Sequence, residues 1–209
     1  MQQLLLELAP APAPTLENFV AGRNGAALQA LRAALAGEER VVYLWGASGC
    51  GKTHLLRGFA AAAGKSMKEY FAADDVERLD DTAQIALFDT CNRLHLANGA
   101  LVTAGNTPPA HLALREDLRT RLASGIVLQV HALSDEEKTA ALAEHAARRG
   151  IGLGDDLVRY LLNHFERDMG TQIALLDALD RYSLEHKRPI TLPLLKQALG
   201  ENIETGAAR

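Results

Sequence analysis

The segment at residues 46–54, GASGCGKTH, carries residue types that bind phosphate, in the pattern G-x-x-x-x-G-K-[ST]. Glycines let the backbone curl so that its N–H groups point at an anion, and the helix that follows adds a partial positive charge. The lysine of such a loop reaches the β- and γ-phosphates, and the threonine hydroxyl ligates Mg²⁺. The pattern predicts a nucleotide site, against the alternative of a glycine-rich turn with a surface lysine. The expected nucleotide-contacting residues are Gly46, Gly49, Gly51, Lys52, Thr53 and His54.

Two adjacent carboxylates, Asp74 and Asp75, end an apolar stretch downstream of this loop. A metal-bound nucleotide needs a carboxylate at a strand end that faces the loop. We therefore expect Asp74 to join Thr53 at a Mg²⁺ ion and Asp75 to orient an attacking water. The alternative for the pair is a helix N-cap with a solvated neighbour.

The strands that position these residues are predicted from short apolar runs. RVVYLW (40–45) is apolar on both alternations, as in a parallel strand that is covered on both faces. Two more buried strands are predicted at 100–106 and 125–131, and MKEYFAA (67–73) is predicted as a strand that ends at the acidic pair.

Helices are predicted between these strands. Asn24 is expected to cap a helix with Leu28, Leu31 and Leu35 on one face, which Gly37 ends. A second helix begins inside the glycine loop and ends at Gly64. A third, over 81–99, is expected to turn Ile85, Phe88 and Cys91 or Asn92 inward.

The pattern changes to helices only from Ser134, where Ser134 and Glu137 form a predicted capping box. The predicted fold class is therefore α/β: a parallel sheet flanked by helices, followed by a small all-helical domain. We assign residues 1–14 to a flexible peptide and its Ala-Pro spacer, 15–132 to the α/β nucleotide-binding domain and 133–209 to the helical domain.

Composition restricts the partners. The net charge of −4 leaves no broad basic field for DNA, which favours a protein partner or a small anionic ligand. The two cysteines form no CxxC pair, which indicates a reducing, cytoplasmic setting. The N-terminus lacks the basic start and long apolar run of a signal peptide, so none is expected. No run approaches the roughly 20 apolar residues of a membrane span, so no span is expected either.

Six segments follow one another as they do in DnaA-type AAA+ ATPases. The chain resembles this family, and within it the Hda-like regulators that promote inactivation of the DnaA initiator. The segments are NFVAGRN (18–24), GASGCGKTHLL (46–56), DDVERL (74–79), TAGNTPP (103–109), LREDLRTRL (114–122) and LSDEEK (133–138).

The resemblance implies roles for further residues. Asn106 matches the polar sensor residue near the γ-phosphate, and Arg121 matches the arginine finger that acts on ATP in a neighbouring subunit. Arg115 and Arg119 lie nearby as interface candidates. For all three arginines the alternative is an exposed charged face of a helix.

The resemblance also gives the N-terminal QLLLEL a meaning. It is similar to the peptide with which Hda-like proteins bind the sliding clamp of DNA polymerase, and its contact residues would be Gln3, Leu4, Leu6 and Leu8. A glutamine-led apolar peptide can lie in a hydrophobic groove of a partner. The alternative is an edge strand or a disordered tail.

The function that the resemblance implies is regulation of replication initiation. Loaded with ADP or ATP and Mg²⁺, and tethered to the clamp, the protein would offer Arg121 to the ATP held by DnaA. DnaA would then hydrolyse its ATP and become inactive. The protein would touch DNA only through the clamp, in the bacterial cytoplasm at the nucleoid, with no membrane partner; the family also allows a homo-oligomer.

Two departures from the family pattern stand out. The family has an arginine, sensor 2, at a lid position where this chain has Gly170, with Arg167 a few residues earlier. Hydrolysis at the protein's own site is therefore expected to be weak. The stretch from Gly64 to Asp74 is also too short for the strand and crossover helix that an AAA+ sheet needs there. Either the sheet lacks a strand or a segment is missing.

Two other function classes stay open. A stand-alone P-loop kinase would need a substrate pocket and an arginine-bearing lid, against which the amphipathic helices and the clamp-like peptide argue. A helicase-loading ATPase that grips single strands would need a basic groove with aromatic residues. The acidic net charge disfavours that class.

Overall fold

A computed structural model describes residues 12–64, 68–164 and 169–198 of the chain. It separates into two compact units, of which one comprises Ala13–Leu133 and the other contains Ser134–Arg209. Each unit is described by itself below. The predicted clamp-contact residues Gln3, Leu4, Leu6 and Leu8, together with Arg167, lie outside the described residues.

The first unit alternates helices and strands from Gly25 to Gln129. Short 3-10 helices precede the first helix and interrupt the chain at Val76–Arg78 and Pro109–His111. The elements in chain order are α1 (Gly25–Ala36), β1 (Val41–Trp45), α2 (Lys52–Ala63), β2 (Tyr70–Ala73), α3 (Asp81–Leu96), β3 (Ala100–Gly105), α4 (Glu116–Ala123) and β4 (Ile126–Gln129).

The four strands form one parallel sheet in the order β2-β3-β1-β4. Tyr43 of β1 lies beside Thr103 of β3, and Ala73 at the end of β2 lies on the other side of Thr103. All strands point the same way, so the residues that follow β1, β2 and β3 meet at one edge of the sheet. This is where ligands bind in open parallel sheets.

Both faces of the sheet are covered, as predicted for β1. Val42 and Leu44 point into a core with Leu31 of α1 and Phe59 of α2. Tyr43 points the other way, into a core to which the helices α3 and α4 contribute. Alternate residues of one strand therefore fill two cores, which explains its unbroken apolar run.

The sheet has four strands within the described ranges, and β2 leads directly into Asp74. The described residues therefore form four strands, and both alternatives for the short stretch before the acidic pair, a sheet that lacks a strand and a sequence that lacks a segment, predict this sheet. The chain passes from β1 through α2 across β3 to the edge position of β2.

Two packing predictions need correction. Ile85 is 46% exposed, whereas Gln84, Leu87, Cys91 and Leu94 form the buried face of α3. Of the predicted inward residues, only Ile85 is therefore wrong, because Cys91 is buried and Phe88 packs against the same core. The strand β4 is half-buried rather than buried, since it lies at the edge of the sheet.

Asn24 holds the N-cap position of α1 but makes no capping hydrogen bond, so its predicted role is wrong. Its side-chain Nδ2 donates to the carbonyl of His131 at 2.9 Å, and its Oδ1 accepts from the His131 amide at 2.8 Å. Asn24 therefore ties the start of α1 to the segment after β4. Gly37 ends α1 in the left-handed conformation, with φ of 85°, as predicted.

The second unit contains only helices in its described part. Ser134 and Glu137 form the predicted capping box at its start. Leucines from three of the helices build its core. Its helices are α5 (Asp135–Arg148), α6 (Asp155–His164), α7 (Met169–His186) and α8 (Leu192–Ala198). Over the described ranges of the whole chain, no helix has both the length and the apolar character that crossing a bilayer requires.

Candidate nucleotide-binding site

The glycine loop lies between the end of β1 and the start of α2. Gly49 and Gly51 have φ of 76° and 104°, which other residues rarely adopt. Ala47, Ser48 and Gly49 are exposed at its crown. Among the described residues, no backbone carbonyl accepts from the amides of Gly49, Gly51 or Lys52. An open crown with orphan amides at a helix start fits a phosphate group.

The base of the loop is fixed by the neighbouring strands. The Gly46 amide donates to the carbonyl of Gly105 at the end of β3. A Cβ at Gly46 would lie 2.3 Å from the carbonyl oxygen of Val130, and one at Gly51 would lie 2.9 Å from the Phe19 ring. Both glycines are therefore required by close approach of other groups.

Lys52 lies inside this loop with only 8% of its surface exposed. Its Nζ donates to the carbonyls of Gly46 and Ala47 at 2.8 and 3.0 Å. Both partners of this ammonium group are neutral carbonyls, and in the described part of the chain no carboxylate forms an ion pair with it. An anion at the crown of the loop would meet that charge.

Thr53 and Asp74 are brought together as the metal prediction requires. The Thr53 hydroxyl donates to Oδ2 of Asp74 at 2.5 Å, and Oδ1 of Asp74 accepts from the amide of Asp75. Within the described ranges, no group of three or more His, Cys, Asp or Glu side chains could hold a metal alone. Mg²⁺ typically takes one or two protein oxygens together with phosphates and water, which this pair fits.

Asp75 and Asn106 have less constrained surroundings. Asp75 has φ of 48°, and its carboxylate lies 3.4 Å from the Arg78 guanidinium, with both side chains largely exposed. Asn106 is exposed and follows Gly105, whose carbonyl accepts from the phosphate loop. Both therefore lie at the carboxyl edge of the sheet, but neither contacts Lys52 or Thr53 by a hydrogen bond within the described residues.

His54 faces the segment that precedes α1. Its Nε2 lies 3.1 Å from the Thr15 carbonyl and 2.9 Å from Oδ1 of Asn18, and its ring packs near Phe19. Its contact with a nucleotide stays a prediction. What His54 does in this structure is fasten residues 15–19 along α2, which places Phe19 against Gly51.

The three arginines of the α4 region differ in their surroundings. Arg115 makes two hydrogen bonds to the carboxylate of Asp117, which raise the pKa of Arg115 and lower that of Asp117. Arg119 is half-buried. Arg121 is exposed and makes no ion pair with any described residue. Arg121 is therefore the side chain of this set that could reach a second molecule.

Sequence reasoning missed two residues around this site. Tyr43, buried in the sheet, donates a hydrogen bond to the Thr107 carbonyl at 2.9 Å. Burial first, and the Glu77 carboxylate second, raise the pKa of Tyr43. Gln84 joins α3 to the residue before α4. Neither hydrogen bond is signalled by a local motif, since the partners lie 64 and 31 positions away in the chain.

A family model described as the Hda lid domain matches residues 135–199 of the chain. An uncharacterised protein of Haemophilus influenzae is 32% identical over 227 residues, covering 95% of this chain and 98% of that protein. The chain belongs to the Hda-like, DnaA-related AAA+ family.

Solved structures share the fold. The AMPPCP-bound DnaA of Aquifex aeolicus superposes with a TM-score of 0.64 at 22% identity, over 83% of this chain and 68% of that one. Domain III of the DnaA of Thermotoga maritima gives a TM-score of 0.65 at 19% identity, over 92% and 98%. The Hda-like chain thus has the AAA+ fold class predicted from its sequence, with a helical lid.

The Haemophilus protein carries residues that this Hda-like chain lacks, because the alignment of the two extends over 227 residues and this chain has 209. In the lid, Gly170 lies in the first turn of α7, at the position where the family pattern led us to expect an arginine.

Proposed function

We propose that this protein regulates the initiation of DNA replication. In this proposal it is a nucleotide-bound adaptor that binds the sliding clamp of DNA polymerase and stimulates ATP hydrolysis by the initiator DnaA, which inactivates DnaA. Membership of the Hda-like family supports the replication role. The phosphate loop and its Thr53–Asp74 pair support the nucleotide.

The observation that carries the proposal is the exposed Arg121 at the end of α4, which no described residue holds in an ion pair. A guanidinium group is planar, always charged and able to bind phosphate oxygens through two donors. Supplied from a neighbouring molecule, such a group stabilises the charge that develops during phosphoryl transfer. Arg115 is less suited to this role because Asp117 already holds its guanidinium.

The protein's own nucleotide is ADP or ATP with Mg²⁺. Lys52 and the loop amides bind the phosphates, while Thr53 and Asp74 hold the ion, which would neutralise phosphate charge. When the nucleotide is ATP, Asn106 would lie near its γ-phosphate. Asp75 would orient a water molecule. With Gly170 in place of a lid arginine, the protein's own hydrolysis is weak, so the bound nucleotide acts as a structural signal.

The clamp contact is assigned to Gln3, Leu4, Leu6 and Leu8. An apolar peptide led by a glutamine suits a hydrophobic groove with a hydrogen-bonding rim. The Ala-Pro spacer that follows would hold this peptide away from the folded unit, because alternating prolines favour extended chain. Binding of the clamp on DNA would then bring Arg121 close to DnaA molecules on the same DNA.

A single-turnover assay tests this function. DnaA loaded with radiolabelled ATP is mixed with clamp-loaded DNA and the protein, and hydrolysis is followed over time. We expect the wild-type protein to accelerate hydrolysis and Arg121→Ala to lose the acceleration by about 10³-fold, the lower range for an arginine finger. Arg32→Ala, which removes an exposed arginine on α1, is the matched control.

A second variant separates the clamp from the finger. Gln3→Ala should lose capture by the clamp and the stimulation that depends on the clamp, but it should keep nucleotide binding. Full stimulation by Arg121→Ala would reject the finger assignment. An absence of stimulation by the wild-type protein would reject the regulatory function itself.

A further inference from the structure

Gln84 is a buried side chain that joins the segment after the acidic pair to the residue before α4. It lies on α3 with 6% of its surface exposed. Its Nε2 donates to the carbonyl of Leu79 at 3.0 Å, and its Oε1 accepts from the amide of Arg115 at 2.9 Å. Both ends of the amide are therefore used, and each bonds to backbone rather than to another side chain.

The Leu79 end of this bridge continues to the nucleotide site. Leu79 follows the 3-10 helix Val76–Arg78, which begins directly after the acidic pair. Val76 is fully buried, so this segment is fixed to the sheet. The Glu77 Oε2 lies 3.1 Å from the point where a Cβ on Gly105 would stand, beside the residue that precedes Asn106.

Tyr43 of β1 lies against the end of β3 at the same point. The Tyr43 hydroxyl lies 2.2 Å from that same Cβ position on Gly105 and donates to Thr107, just beyond Asn106. Oε2 of Glu77 is buried with no hydrogen-bond partner among the described residues. A buried acceptor without a donor costs free energy, so a shift that brings a donor to Oε2 of Glu77 would be favoured.

The Arg115 end of the bridge leads to the finger helix. Arg115 occupies the N-cap position of α4, and its own side chain makes no cap. Leu118 and Leu122 of α4 are fully buried against the sheet, which fixes the rotation of the helix. The hydrogen bond that the Arg115 amide donates to Gln84 fixes where the helix starts. Together these contacts determine where Arg121 points.

We propose that Gln84 is a positioning residue that couples the nucleotide site to the presentation of Arg121. The inference rests on the proposed function. It adds that the protein's own nucleotide controls the position of the finger Arg121. A phosphate that draws Asn106 or Asp74 towards the loop shifts the segment ending at Leu79. Through the two ends of the Gln84 amide that shift reaches the start of α4. The proposed route follows the chain from Asp74 to Leu79 and then the two hydrogen bonds of Gln84 to the start of α4.

Two substitutions of Gln84 remove either both of its hydrogen bonds or only the one to Leu79. Gln84→Met keeps a similar volume but removes both hydrogen bonds. Gln84→Glu keeps an oxygen that accepts from the Arg115 amide but loses the donor to Leu79. If Gln84 only stabilised the fold, the surviving folded fraction of either variant would respond to nucleotide as the wild-type protein does. Ile85→Gln, on the exposed face of the same turn, is the control.

The test is amide hydrogen exchange at Arg115, measured by NMR with and without ADP and Mg²⁺. In the wild-type protein we expect nucleotide to slow this exchange at least fivefold. In Gln84→Met the exchange is fast under both conditions. In Gln84→Glu the Arg115 exchange is slow with and without nucleotide. The Arg115 amide still donates to a side-chain oxygen, but residue 84 no longer donates to Leu79. Nucleotide affinity of both variants should stay within threefold of the wild-type value.

The same variants are then compared in the DnaA hydrolysis assay. For the wild-type protein, we expect stimulation of DnaA to be at least tenfold greater with its own nucleotide bound than without it. For Gln84→Glu this difference should be less than twofold. Arg115 exchange that ignores nucleotide in the wild-type protein overturns the coupling. So does a Gln84→Glu variant with wild-type dependence. Loss of stimulation in every sample, with nucleotide-dependent exchange intact, would reject the proposed function and leave the coupling standing.

Discussion

The hydroxyl of Thr53 donates a hydrogen bond of 2.5 Å to the carboxylate of Asp74. Thr53 lies in the first turn of α2, and Asp74, which is 21 positions later, directly follows β2. Their contact joins the phosphate loop to the acidic pair. It therefore places one hydroxyl and one carboxylate beside the phosphate loop, and the proposed function assigns this pair to Mg²⁺.

Thr53→Ala should weaken binding of ADP mainly when Mg²⁺ is present. Loss of the hydroxyl removes one oxygen from the proposed ion site, and we expect about a tenfold loss of affinity, or about 1.4 kcal/mol. With EDTA the loss should be below about twofold. Titration of a fluorescent nucleotide measures both values. Thr53→Ser keeps the hydroxyl and serves as control; an equal loss with and without the ion would contradict the assignment.

Gly51→Ala should destabilise the protein. The residue has φ of 104°, and an added Cβ would lie 2.9 Å from the Phe19 ring. A left-handed conformation alone costs a non-glycine residue about 1 to 2 kcal/mol. Urea unfolding should therefore show a lower free energy of unfolding, by at least about 1 kcal/mol.

Gly25→Ala is the matched control for that change. Gly25 has φ of −55° at the start of α1, and a Cβ there meets nothing within 4 Å. Alanine at such a position should raise the free energy of unfolding by about 0.4 to 1 kcal/mol. Equal stability of the two variants would show that the loop accommodates a side chain.

Asn24→Ser separates a helix cap from a cross-link. Serine caps a helix about as well as asparagine, but it is too short to make both hydrogen bonds to the His131 backbone. We expect the free energy of unfolding to fall by about 2 kcal/mol, since each buried hydrogen bond contributes about 0.5 to 1.5 kcal/mol. Ser134→Asp, at a true cap, should be nearly neutral by the same measurement. An unchanged Asn24→Ser variant would restore the cap interpretation.

Local patterns predicted much of this protein. The run at β1, the phosphate loop and the capping box at Ser134 are signals carried by adjacent residues, and the structure has each of them. On α3 only Ile85 was placed wrongly, and the buried Gln84 was missed because a hydrophobic pattern assigns a glutamine to the surface. Its burial depends on Arg115, 31 residues later.

Long-range contacts explain the remaining differences. The residues around Asn24 predict that it caps a helix, but its hydrogen-bond partner His131 is 107 residues away. The edge position of β4 follows from the strand order, which no single strand encodes. The difference between Arg115 and Arg121 is local, since Asp117 lies two residues from Arg115, but the finger role of Arg121 came from family resemblance alone.

The stability of the protein should fall at alkaline pH through Cys91. Burial raises the pKa of this thiol from 9.0 to about 11, although the charge of Arg121 acts in the opposite direction. The unfolded thiol thus loses its proton first, so stability is complete below about pH 9 and declines as the pH rises to about 11. Burial raises the pKa of Tyr43 as well, with the same sign.

Urea unfolding at several pH values measures this decline. We expect Cys91 to contribute at most about 2 kcal/mol to it between pH 9 and pH 11, because a tenfold difference in proton affinity between the folded and unfolded states corresponds to about 1.4 kcal/mol. Cys91→Ala should lose stability at pH 7 through its cavity but should show a flatter decline above pH 9. A slope that is the same with and without the thiol would contradict the assignment.

Isothermal titration calorimetry with ADP and ATP tests the central claim most directly, because every proposed role of this protein assumes a nucleotide in the loop. With Mg²⁺ present, we expect saturable binding by the wild-type protein. Binding by Lys52→Ala should be at least about tenfold weaker, since it lacks the buried charge that an anion would meet. Circular dichroism confirms that this variant is folded. An absence of binding heat with both nucleotides, supported by an unchanged melting temperature in their presence, would contradict the account.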